Sequence, residues 1–218
     1  MSVTVEAAES FVLGHTGLAP VPLVPEIQTY QADDAIALWE ITEEIHGGPG
    51  LAPPFWAFPW AGGQALARYV LDHPQLVAGR TVLDLAAGSG LVALAASLAG
   101  GRSVVANEID PYAIAAIRLN AAANAREIRP YHGNLLVESV TDADVVLAGD
   151  VFYNREMAAA MMRFLRAARD RGADVLAGDP GRAYVPTGDL ARVASLTVPV
   201  IRDLEDVDAK ETTVWRLP

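Results

Sequence analysis

Residues 82–90 read VLDLAAGSG, and they decide the fold class because an apolar run, a small-residue turn and an Ala- and Leu-rich stretch follow one another here. That order predicts a β-strand, a tight turn and an α-helix, the first unit of a parallel sheet. Small residues at Ala86, Ala87, Gly88 and Gly90 let the backbone approach a ligand closely, and the start of the helix offers unpaired amides. The turn is therefore a candidate cofactor-binding loop.

Two acidic residues flank this loop. Asp84 stands at the end of the first strand, and Glu108 ends the second strand, twenty residues after Gly88. A carboxylate at the tip of the second strand can accept hydrogen bonds from both ribose hydroxyls of a cofactor. Nicotinamide and adenosylmethionine enzymes both use this contact.

Asp84, the acid beside the turn, distinguishes between a nicotinamide dinucleotide and S-adenosylmethionine as the cofactor. A dinucleotide brings its pyrophosphate against the helix start, where Asp84 would repel it. The same carboxylate suits the amino group and the sulfonium of S-adenosylmethionine, whose product after methyl transfer is S-adenosylhomocysteine. The spacing Gly88-x-Gly90-x-x-Ala93 formally meets the dinucleotide pattern, so a nicotinamide enzyme stays open as an alternative.

The chain beyond residue 79 alternates short apolar runs with helical stretches, which is typical of βα repeats. We predict an α/β fold, a Rossmann-like seven-strand methyltransferase sheet with helices on both faces and a C-terminal antiparallel hairpin. The predicted parallel strands are residues 81–85, 103–107, 128–132, 145–148 and 173–177, with helices over 91–98, 112–123 and 156–169. The predicted hairpin strands are residues 196–204 and 212–217, joined by the acidic segment 205–208.

The first 62 residues form a separate region in this interpretation, an amino-terminal arm and helix with an aromatic segment, and residues 63–218 form the S-adenosylmethionine-dependent methyltransferase domain. Three prolines prevent a long helix in residues 1–30, so we predict an irregular or short-stranded arm there. A helix over residues 33–45, closed by residues 47–49, and a second helix over 63–71 flank the aromatic segment.

Composition excludes several classes of site and partner. The 218 residues contain no cysteine, which excludes thiolate chemistry, and the four histidines lack metal-ligand spacing, so no metal is predicted. No apolar run approaches the ~20 residues of a membrane span, and Glu6 and Glu9 argue against a secretion signal. We expect a cytoplasmic protein with no membrane partner.

The net charge of −11 argues against a nucleic-acid partner. The oligomeric state stays open, with a monomer as the working expectation.

Four separated motifs resemble the lysine methyltransferases of the electron transfer flavoprotein β subunit. They occur in the family's order, within roughly residues 33–186. The motifs are FWAFPWAGGQAL (residues 55–66), ANEIDP (106–111), GDVFY (149–153) and GDPGR (178–182). The glycine loop departs slightly from the family pattern with Ala86-Ala87, as does Glu108, where many relatives have Asp.

The resemblance implies roles for residues around the cofactor. Trp60 would cover S-adenosylmethionine, residues 86–90 would cradle its methionine part, and Glu108 would anchor its ribose. Asn134 and Leu135 would flank adenine, and Gly149 would complete the cofactor site. Three of these residues have a structural alternative: core packing for Trp60, a turn for Asn134 and a solvated strand end for Glu108.

The motif with Asp150 and Tyr153 follows the fourth strand of the repeat, at the edge where βα folds carry reactive groups. In the family it resembles, an acid-x-x-Tyr arrangement lies at the methyl-acceptor pocket. An ordinary lysine titrates near ~10.4, so a neutral amine at pH 7 costs about 4.6 kcal/mol. We expect Asp150 to bind and position the acceptor, with a general-base role open, and Tyr153 to contact the amine. The structural alternative is a helix cap and a buried aromatic.

The sequence thus predicts a protein-lysine N-methyltransferase, with the electron transfer flavoprotein β subunit as the implied acceptor. Ribosomal protein L11 methyltransferases share a similar loop and an Asn-Leu pair after the third strand, so L11 or a small-molecule amine is an alternative acceptor. A non-catalytic adenosylmethionine-binding protein is the alternative of another class, against which the intact Asp150 and Tyr153 argue.

Overall fold

The computed structural model describes residues 3–46, 53–138 and 142–218. Its strands are β1 (Gly17–Val21), β2 (Val24–Gln31), β3 (Thr81–Leu85), β4 (Ser103–Glu108), β5 (Arg129–His132), β6 (Val145–Gly149), β7 (Asp174–Asp179), β8 (Ala191–Pro199) and β9 (Ala209–Arg216). Its helices are α1 (Val5–His15), α2 (Ala35–His46), α3 (Ala61–Asp72), α4 (Leu91–Leu98), α5 (Pro111–Ala123), α6 (Leu135–Glu138), α7 (Arg155–Asp170) and α8 (Arg202–Glu205). Short 3-10 turns at Phe55–Ala57 and Pro74–Leu76 flank α3.

Seven strands of the described chain form one mixed sheet in the order β5-β4-β3-β6-β7-β9-β8. Strands β3 to β7 run parallel, and β9 lies antiparallel between β7 and β8. The strand order reverses at β3, which pairs with β4 on one side and β6 on the other. Such a reversal opens a crevice at the carboxyl ends of the strands. The predicted fold class, with its C-terminal antiparallel hairpin, is confirmed.

Helices cover both faces of the sheet. On β6, Val145 and Leu147 belong to the core that packs against α3 and α4, whereas Val146 and Ala148 belong to the core on the α7 side. A continuous apolar run is typical of a strand buried on both faces. No helix within the described ranges is long and apolar enough to cross a membrane.

The predicted bounds of helices α2 to α5 and α7 and of strands β3 to β7 agree with the structure to within two residues at each end. The agreement is best where apolar runs are bounded by glycine, proline or acidic residues, because those residues end a strand or helix locally. The predicted close of α2 at residues 47–49 lies outside the described residues.

The C-terminal hairpin begins earlier than the sequence predicts. Strand β8 covers residues 191–199 rather than 196–204, and residues 202–205 form the helical turn α8 instead of a strand. Strand β9 begins three residues before the predicted 212–217 strand. The first part of β8 is an exposed edge strand without apolar alternation, so the period-two signal is absent there.

The prediction of an irregular start to the chain was wrong. Helix α1 forms there, and its N-cap Thr4 accepts a hydrogen bond from the Ala7 amide (3.3 Å). Only Ala8 and Val12 of α1 are fully buried, so the apolar stripe is too narrow to mark a helix in the sequence. The short strands expected in the arm are present as the antiparallel hairpin of β1 and β2.

The amino-terminal elements pack on α5. The Tyr30 amide donates to Asn120 Oδ1 (2.8 Å), and the Asn124 side chain accepts from the Gln28 amide (3.0 Å) and donates to its carbonyl (2.6 Å). The domain boundary that the sequence predicts after residue 62 falls within the first turn of α3, and it stays a proposal.

Candidate active site

The predicted cofactor loop follows β3 and turns back on the end of β4. Ala86 and Gly88 adopt positive φ angles of 54° and 53°. The Ala87 amide donates to the Asn107 carbonyl (3.0 Å), and the Gly88 amide donates to Glu108 Oε1 (2.9 Å). The loop and the tip of β4 therefore form one hydrogen-bonded unit.

Gly90 begins α4 and does not line the cavity described below. Its φ is 78°, and a Cβ added there would lie 3.1 Å from Ile117 Cγ1. Glycine is thus required because α4 starts in a left-handed conformation directly against α5.

Asp84 is buried at the end of β3, 1% exposed, and its Oδ2 accepts a hydrogen bond from the Ala93 amide (2.8 Å). Burial raises the pKa of this carboxyl to about 8, and the nearby Glu108 carboxylate adds to the effect. A cation bound beside it would lower that pKa and favour the ionised form. Asp84 therefore suits a positively charged ligand.

Glu108 presents its carboxylate at the tip of β4. Its Oε1 accepts from the Gly88 amide and its Oε2 from the Ile109 amide, both at 2.9 Å. Burial raises the pKa of Glu108, and the two amides act against that rise. The two backbone donors fix the orientation of the carboxylate, as a ribose-binding group requires.

Asn107 is a positioning residue that the sequence reasoning missed. It is 4% exposed, and its Nδ2 donates to the carbonyls of Tyr131 (3.1 Å) and Gly133 (2.7 Å). These bonds hold the segment after β5 beside Glu108. Its place in the ANEIDP motif, as a polar residue in an apolar strand, is the signal that could have revealed it.

Asn134 lies where the sequence places it, but its neighbour does not. Asn134 Oδ1 accepts from the Leu136 amide (3.1 Å) at the start of α6. Leu135 is buried in the core on the α7 side, whereas Leu136 lines the cavity. The leucine that faces the cavity is thus one residue later than the sequence predicts, because the first residue of the helical turn faces inward.

These elements surround a cavity of about 710 Å³, within the usual range of about 300–1,000 Å³ for small-molecule sites. The predicted site residues that line it are Trp60, Asp84, Ala86, Ala87, Gly88, Glu108, Asn134, Gly149, Asp150 and Tyr153. The structure therefore brings together all of the predicted residues except Gly90 and Leu135.

Aromatic rings form one wall of the cavity. The ring centroid of Phe55 lies 5.8 Å from that of Trp60 and 5.4 Å from that of Tyr153. Trp60 Nε1 donates to the Phe55 carbonyl (2.8 Å), which fixes the indole. Burial raises the pKa of Tyr153, with the Glu108 carboxylate as a further cause, so its hydroxyl keeps its proton at neutral pH.

The start of α3 packs directly on the ends of β6 and β7. A Cβ on Gly62 would overlap the Gly178 carbonyl and lie 2.7 Å from Asp150 Oδ2, and one on Gly149 would lie 2.9 Å from the Gly63 Cα. The close approach of helix and sheet at this point needs glycine. It also brings the start of α3 to the Asp150 side of the cavity, where the Gly63 amide donates to Asp150 Oδ2.

Asp150 stands where β6, α3 and the segment after β7 meet. It has a positive φ of 56°, its Oδ2 accepts from the Gly63 amide (2.7 Å), and its Oδ1 lies 3.4 Å from Arg182 Nη2. Burial raises the pKa of Asp150 to about 7, although the Arg182 guanidinium and the Gly63 amide act to lower it. Near neutral pH the carboxyl can both bind a cation and exchange a proton.

Two further charged residues reach this cavity, and the sequence reasoning gave neither a specific role. Arg182 Nη2 lies 3.2 Å from Glu205 Oε1, and the Arg182 guanidinium lies over the Trp60 ring at 5.8 Å from its centroid. The GDPGR motif forms a turn beside the cavity, since Asp179 Oδ1 accepts from the amides of Gly181 and Arg182, both at 2.7 Å.

Comparisons with known proteins agree with this geometry. A model of the ribosomal protein L11 methyltransferase (PrmA) family matches residues 65–154. An electron transfer flavoprotein β subunit lysine methyltransferase from Xenopus laevis is 36% identical over 212 residues, which cover 94% of this chain and 85% of that protein. The chain belongs to this lysine methyltransferase family. It is an S-adenosylmethionine-dependent methyltransferase.

Other comparisons of this methyltransferase point the same way. The corresponding Danio rerio enzyme is 36% identical over 215 residues, 95% of this chain and 82% of that protein. The crystal structure of a ribosomal protein L11 methylase from Lactobacillus delbrueckii subsp. bulgaricus shares the fold, with a TM-score of 0.51 and 20% identity, covering 70% of this chain and 76% of that one.

The donor set of this methyltransferase fits S-adenosylmethionine. The cavity combines an amide-held carboxylate at Glu108, a buried acid at Asp84 and an aromatic wall. These groups match a ribose diol, a cationic methionine part and a flat base. No group of three or more His, Cys, Asp or Glu suited to a metal ion occurs among the described residues.

Proposed function

We propose that this methyltransferase transfers a methyl group from S-adenosylmethionine to a lysine amine of the electron transfer flavoprotein β subunit. The observation that carries the proposal is the buried Asp150 carboxylate beside Trp60 and Tyr153 in the cofactor cavity, in a chain whose relatives are named for that acceptor. A protein acceptor also agrees with the shape of the cavity. The cavity has an opening lined by side chains of several elements and is not a closed chamber.

Six parts of the cavity wall share the binding of the cofactor. Residues 86–88 contact the methionine part through their backbone, and Asp84 faces its positive charge. Glu108 accepts hydrogen bonds from the ribose hydroxyls, and Asn134 lies beside the adenine. Gly149 leaves room for the cofactor at the end of β6, and Trp60 covers it. When bound, the cofactor supplies a methyl group made electrophilic by its sulfonium.

Asp150 orients the acceptor for an in-line approach. The acceptor nitrogen would use its lone pair to form a bond to the methyl carbon, and the electron pair of the broken carbon–sulfur bond would stay with the sulfur of the cofactor. Positioning is the main contribution that the protein can make to such a transfer. Because the pKa of Asp150 lies at about 7, this carboxylate can also accept the proton that the ammonium must lose before its lone pair is available. Tyr153 packs against the amine.

The charge and composition of the chain support the rest of the assignment. The net charge of −11 favours a basic segment of the acceptor over nucleic acid or an anionic membrane surface. The absence of cysteine from the sequence agrees with a reducing compartment, and we place the enzyme in the cytoplasm as a monomer.

The direct test is incubation of the enzyme with labelled S-adenosylmethionine and purified β subunit, followed by mass spectrometry to locate the label. We expect label on lysine, and none on a β subunit in which the located lysine is replaced by Arg. The Asp150→Asn variant, which should still bind S-adenosylhomocysteine, serves as the inactive control. No incorporation by a wild-type enzyme that binds the cofactor would reject this acceptor.

Ribosomal protein L11 is the second candidate acceptor, because the L11 methyltransferase family model matches residues 65–154. That stretch contains the cofactor loop, Glu108 and Asp150, but not Arg182 or Glu205, which also line the acceptor side. L11 and small amines are therefore run in parallel in the same assay. Label on L11 and not on the β subunit would support this second candidate.

A further inference from the structure

One nitrogen of Arg182 lies between two carboxylates at the cavity wall. Arg182 Nη2 is 3.4 Å from Asp150 Oδ1 and 3.2 Å from Glu205 Oε1. The carboxylates come from distant parts of the chain, Asp150 after β6 and Glu205 at the end of α8. The Trp60 ring lies beneath the same guanidinium, 5.8 Å from centroid to Cζ.

These three side chains make up a binding site for a cation. Two carboxylates stabilise one positive charge, and an aromatic face adds a cation–π contribution. The side chains of Asp150 and Glu205 are 11% and 8% exposed, so the charges interact with little screening by solvent. A lysine ammonium that enters the cavity is stabilised by the same groups, two carboxylates and an aromatic face.

Glu205 is held in place independently of Arg182. Its second oxygen, Oε2, pairs with the Lys210 ammonium of β9. Oε1 therefore keeps its direction towards the cavity when its partner changes. Lys210 is the one lysine of the chain.

Arg182 is anchored through its backbone more fully than through its side chain. Asp179 Oδ1 accepts from the Arg182 amide, so the turn stays fixed when the side chain moves. Arg182 Nε is buried without a hydrogen-bond partner among the described residues, so the guanidinium is incompletely satisfied where it lies. The Arg182 side chain is 24% exposed, so the guanidinium can reach solvent by a short movement.

We propose that Arg182 occupies the ammonium site of the acceptor as an internal placeholder, and that Glu205 is the second carboxylate, with Asp150, that binds the acceptor ammonium. This inference rests on the proposed amine acceptor. An incoming ammonium replaces the guanidinium, and Arg182 turns out to solvent. The exchange of one cation for another keeps a positive charge beside the Asp150 carboxylate, which would otherwise lose its ionic partner, whereas Glu205 retains Lys210 in both states.

Steady-state kinetics with the β subunit separate these roles. Glu205→Gln removes one charge from the ammonium site, so we expect the KM for the acceptor to rise about tenfold or more, with a smaller change in kcat. Arg182→Gln removes the competing cation, so the KM should fall about threefold or more, the direction expected when a competing state is removed. Glu205→Asp should restore part of the lost affinity. An unchanged KM for Glu205→Gln, or a raised KM for Arg182→Gln, would overturn the proposal.

A second readout does not depend on the β subunit. Full-length enzyme saturated with S-adenosylhomocysteine is titrated with n-butylammonium, which carries the end of a lysine side chain, and with n-butanol as the neutral control. NMR detects binding, and calorimetry checks that each variant still binds the cofactor product. We expect Arg182→Gln to strengthen n-butylammonium binding and Glu205→Gln to weaken it, with no change for n-butanol.

The two readouts distinguish failure of this inference from failure of the proposed acceptor. If the β subunit is not methylated but n-butylammonium binding follows the expected pattern, the ammonium site stands and the acceptor is a different amine. If n-butylammonium binds all variants equally, the placeholder is refuted whether or not the β subunit is methylated.

Discussion

Glu108 is the residue on which, in the proposed binding mode, cofactor affinity depends most directly. Its two carboxylate oxygens are oriented by the Gly88 and Ile109 amides, which leaves them directed towards a ribose diol. We expect Glu108→Ala to weaken S-adenosylhomocysteine binding by about 1.5–3 kcal/mol, the range for hydrogen bonds to a charged group. Isothermal calorimetry measures this. Glu127→Ala, at an exposed acid that does not line the cavity, is the matched control, and equal affinities for the two variants would exclude Glu108 from the site.

Asp150 makes a prediction about the pH dependence of stability. Burial raises its pKa from 3.8 to about 7, so the folded state holds this proton over a range where the unfolded chain has released it. The stabilisation is complete below about pH 4 and is lost as the pH rises through about 7. Asp150→Asn cannot ionise, and Asn tolerates the positive φ at this position. From pH 5 to 8 the unfolding free energy should therefore shift in favour of the variant by about 1–4 kcal/mol.

Denaturant unfolding of both proteins at several pH values measures this shift. The raised pKa of Asp84 changes both proteins alike, so the difference between them isolates Asp150. A difference that stays constant, or moves in the opposite direction, would mean that Asp150 ionises normally. The same variant should lose methyl transfer and keep its affinity for S-adenosylhomocysteine.

At the scale of residues, the sequence indicates those candidate site residues whose positions follow from local spacing along the chain. The alternation of strands and helices was enough to identify Asp84 at the end of β3 and Glu108, which lies twenty residues after Gly88. Arg182 and Glu205 escaped a specific prediction because their proximity depends on how the C-terminal hairpin returns to the sheet. That Leu136 rather than Leu135 lines the cavity has a similar cause, since one residue of rotation in α6 decides which leucine faces it.

At the scale of elements, the contact of α3 with β6 and β7 positions the acceptor side of the cavity. Gly62 has no room for a Cβ, whereas a Cβ on the adjacent Gly63 would meet only Asp150 Oδ2 and Leu91 Cδ2, both at 4.0 Å. We expect Gly62→Ala to destabilise the fold by about 1–3 kcal/mol or more through overpacking. Gly63→Ala should be neutral or stabilise α3 by about 0.5–1 kcal/mol.

Thermal unfolding of the two variants tests this close packing. Their adjacent positions make them a matched pair, because the substitution is chemically identical and only the surroundings differ. If both variants unfold at the wild-type temperature, the helix and sheet do not approach as closely as the three glycines at positions 62, 149 and 178 indicate.

Element boundaries were predicted well in the parallel part of the sheet and poorly at both ends of the chain. Strands β3, β6 and β7 are buried on both faces, so each is a largely apolar run. Helix α1 and strand β8 are largely exposed, and their sequences carry little periodicity. Their structure depends on neighbours distant in the sequence, α5 for α1 and β9 for β8.

At the scale of the whole molecule, the amino-terminal hairpin is connected to the cofactor loop through α5. The buried Asn120 accepts from the Tyr30 amide (2.8 Å) and donates through Nδ2 to the Ser89 carbonyl (2.8 Å). One side chain thus joins β2 to the loop. Gln64 of α3 joins the hairpin to the segment before α3 instead, since it accepts from the Leu23 amide (3.1 Å) and donates to the Pro59 carbonyl (2.6 Å).

Asn120→Ala should therefore affect both stability and cofactor binding. The change leaves buried backbone groups of Tyr30 and Ser89 without a partner, at a cost of about 1–3 kcal/mol each. Denaturant unfolding and S-adenosylhomocysteine calorimetry report the two effects. Asn124→Ala, which removes the bonds to Gln28 without reaching the loop, should lower stability and leave cofactor affinity unchanged. Wild-type affinity in Asn120→Ala would show that the hairpin and the loop are independent.

A crystal structure of the enzyme with S-adenosylhomocysteine tests the central claim most directly. The account predicts the ribose hydroxyls within hydrogen-bonding distance of both Glu108 carboxylate oxygens, the methionine part along residues 86–88, and the sulfur facing Asp150. A ligand bound elsewhere, or a crevice at the end of β3 closed by the protein's own side chains, would contradict it.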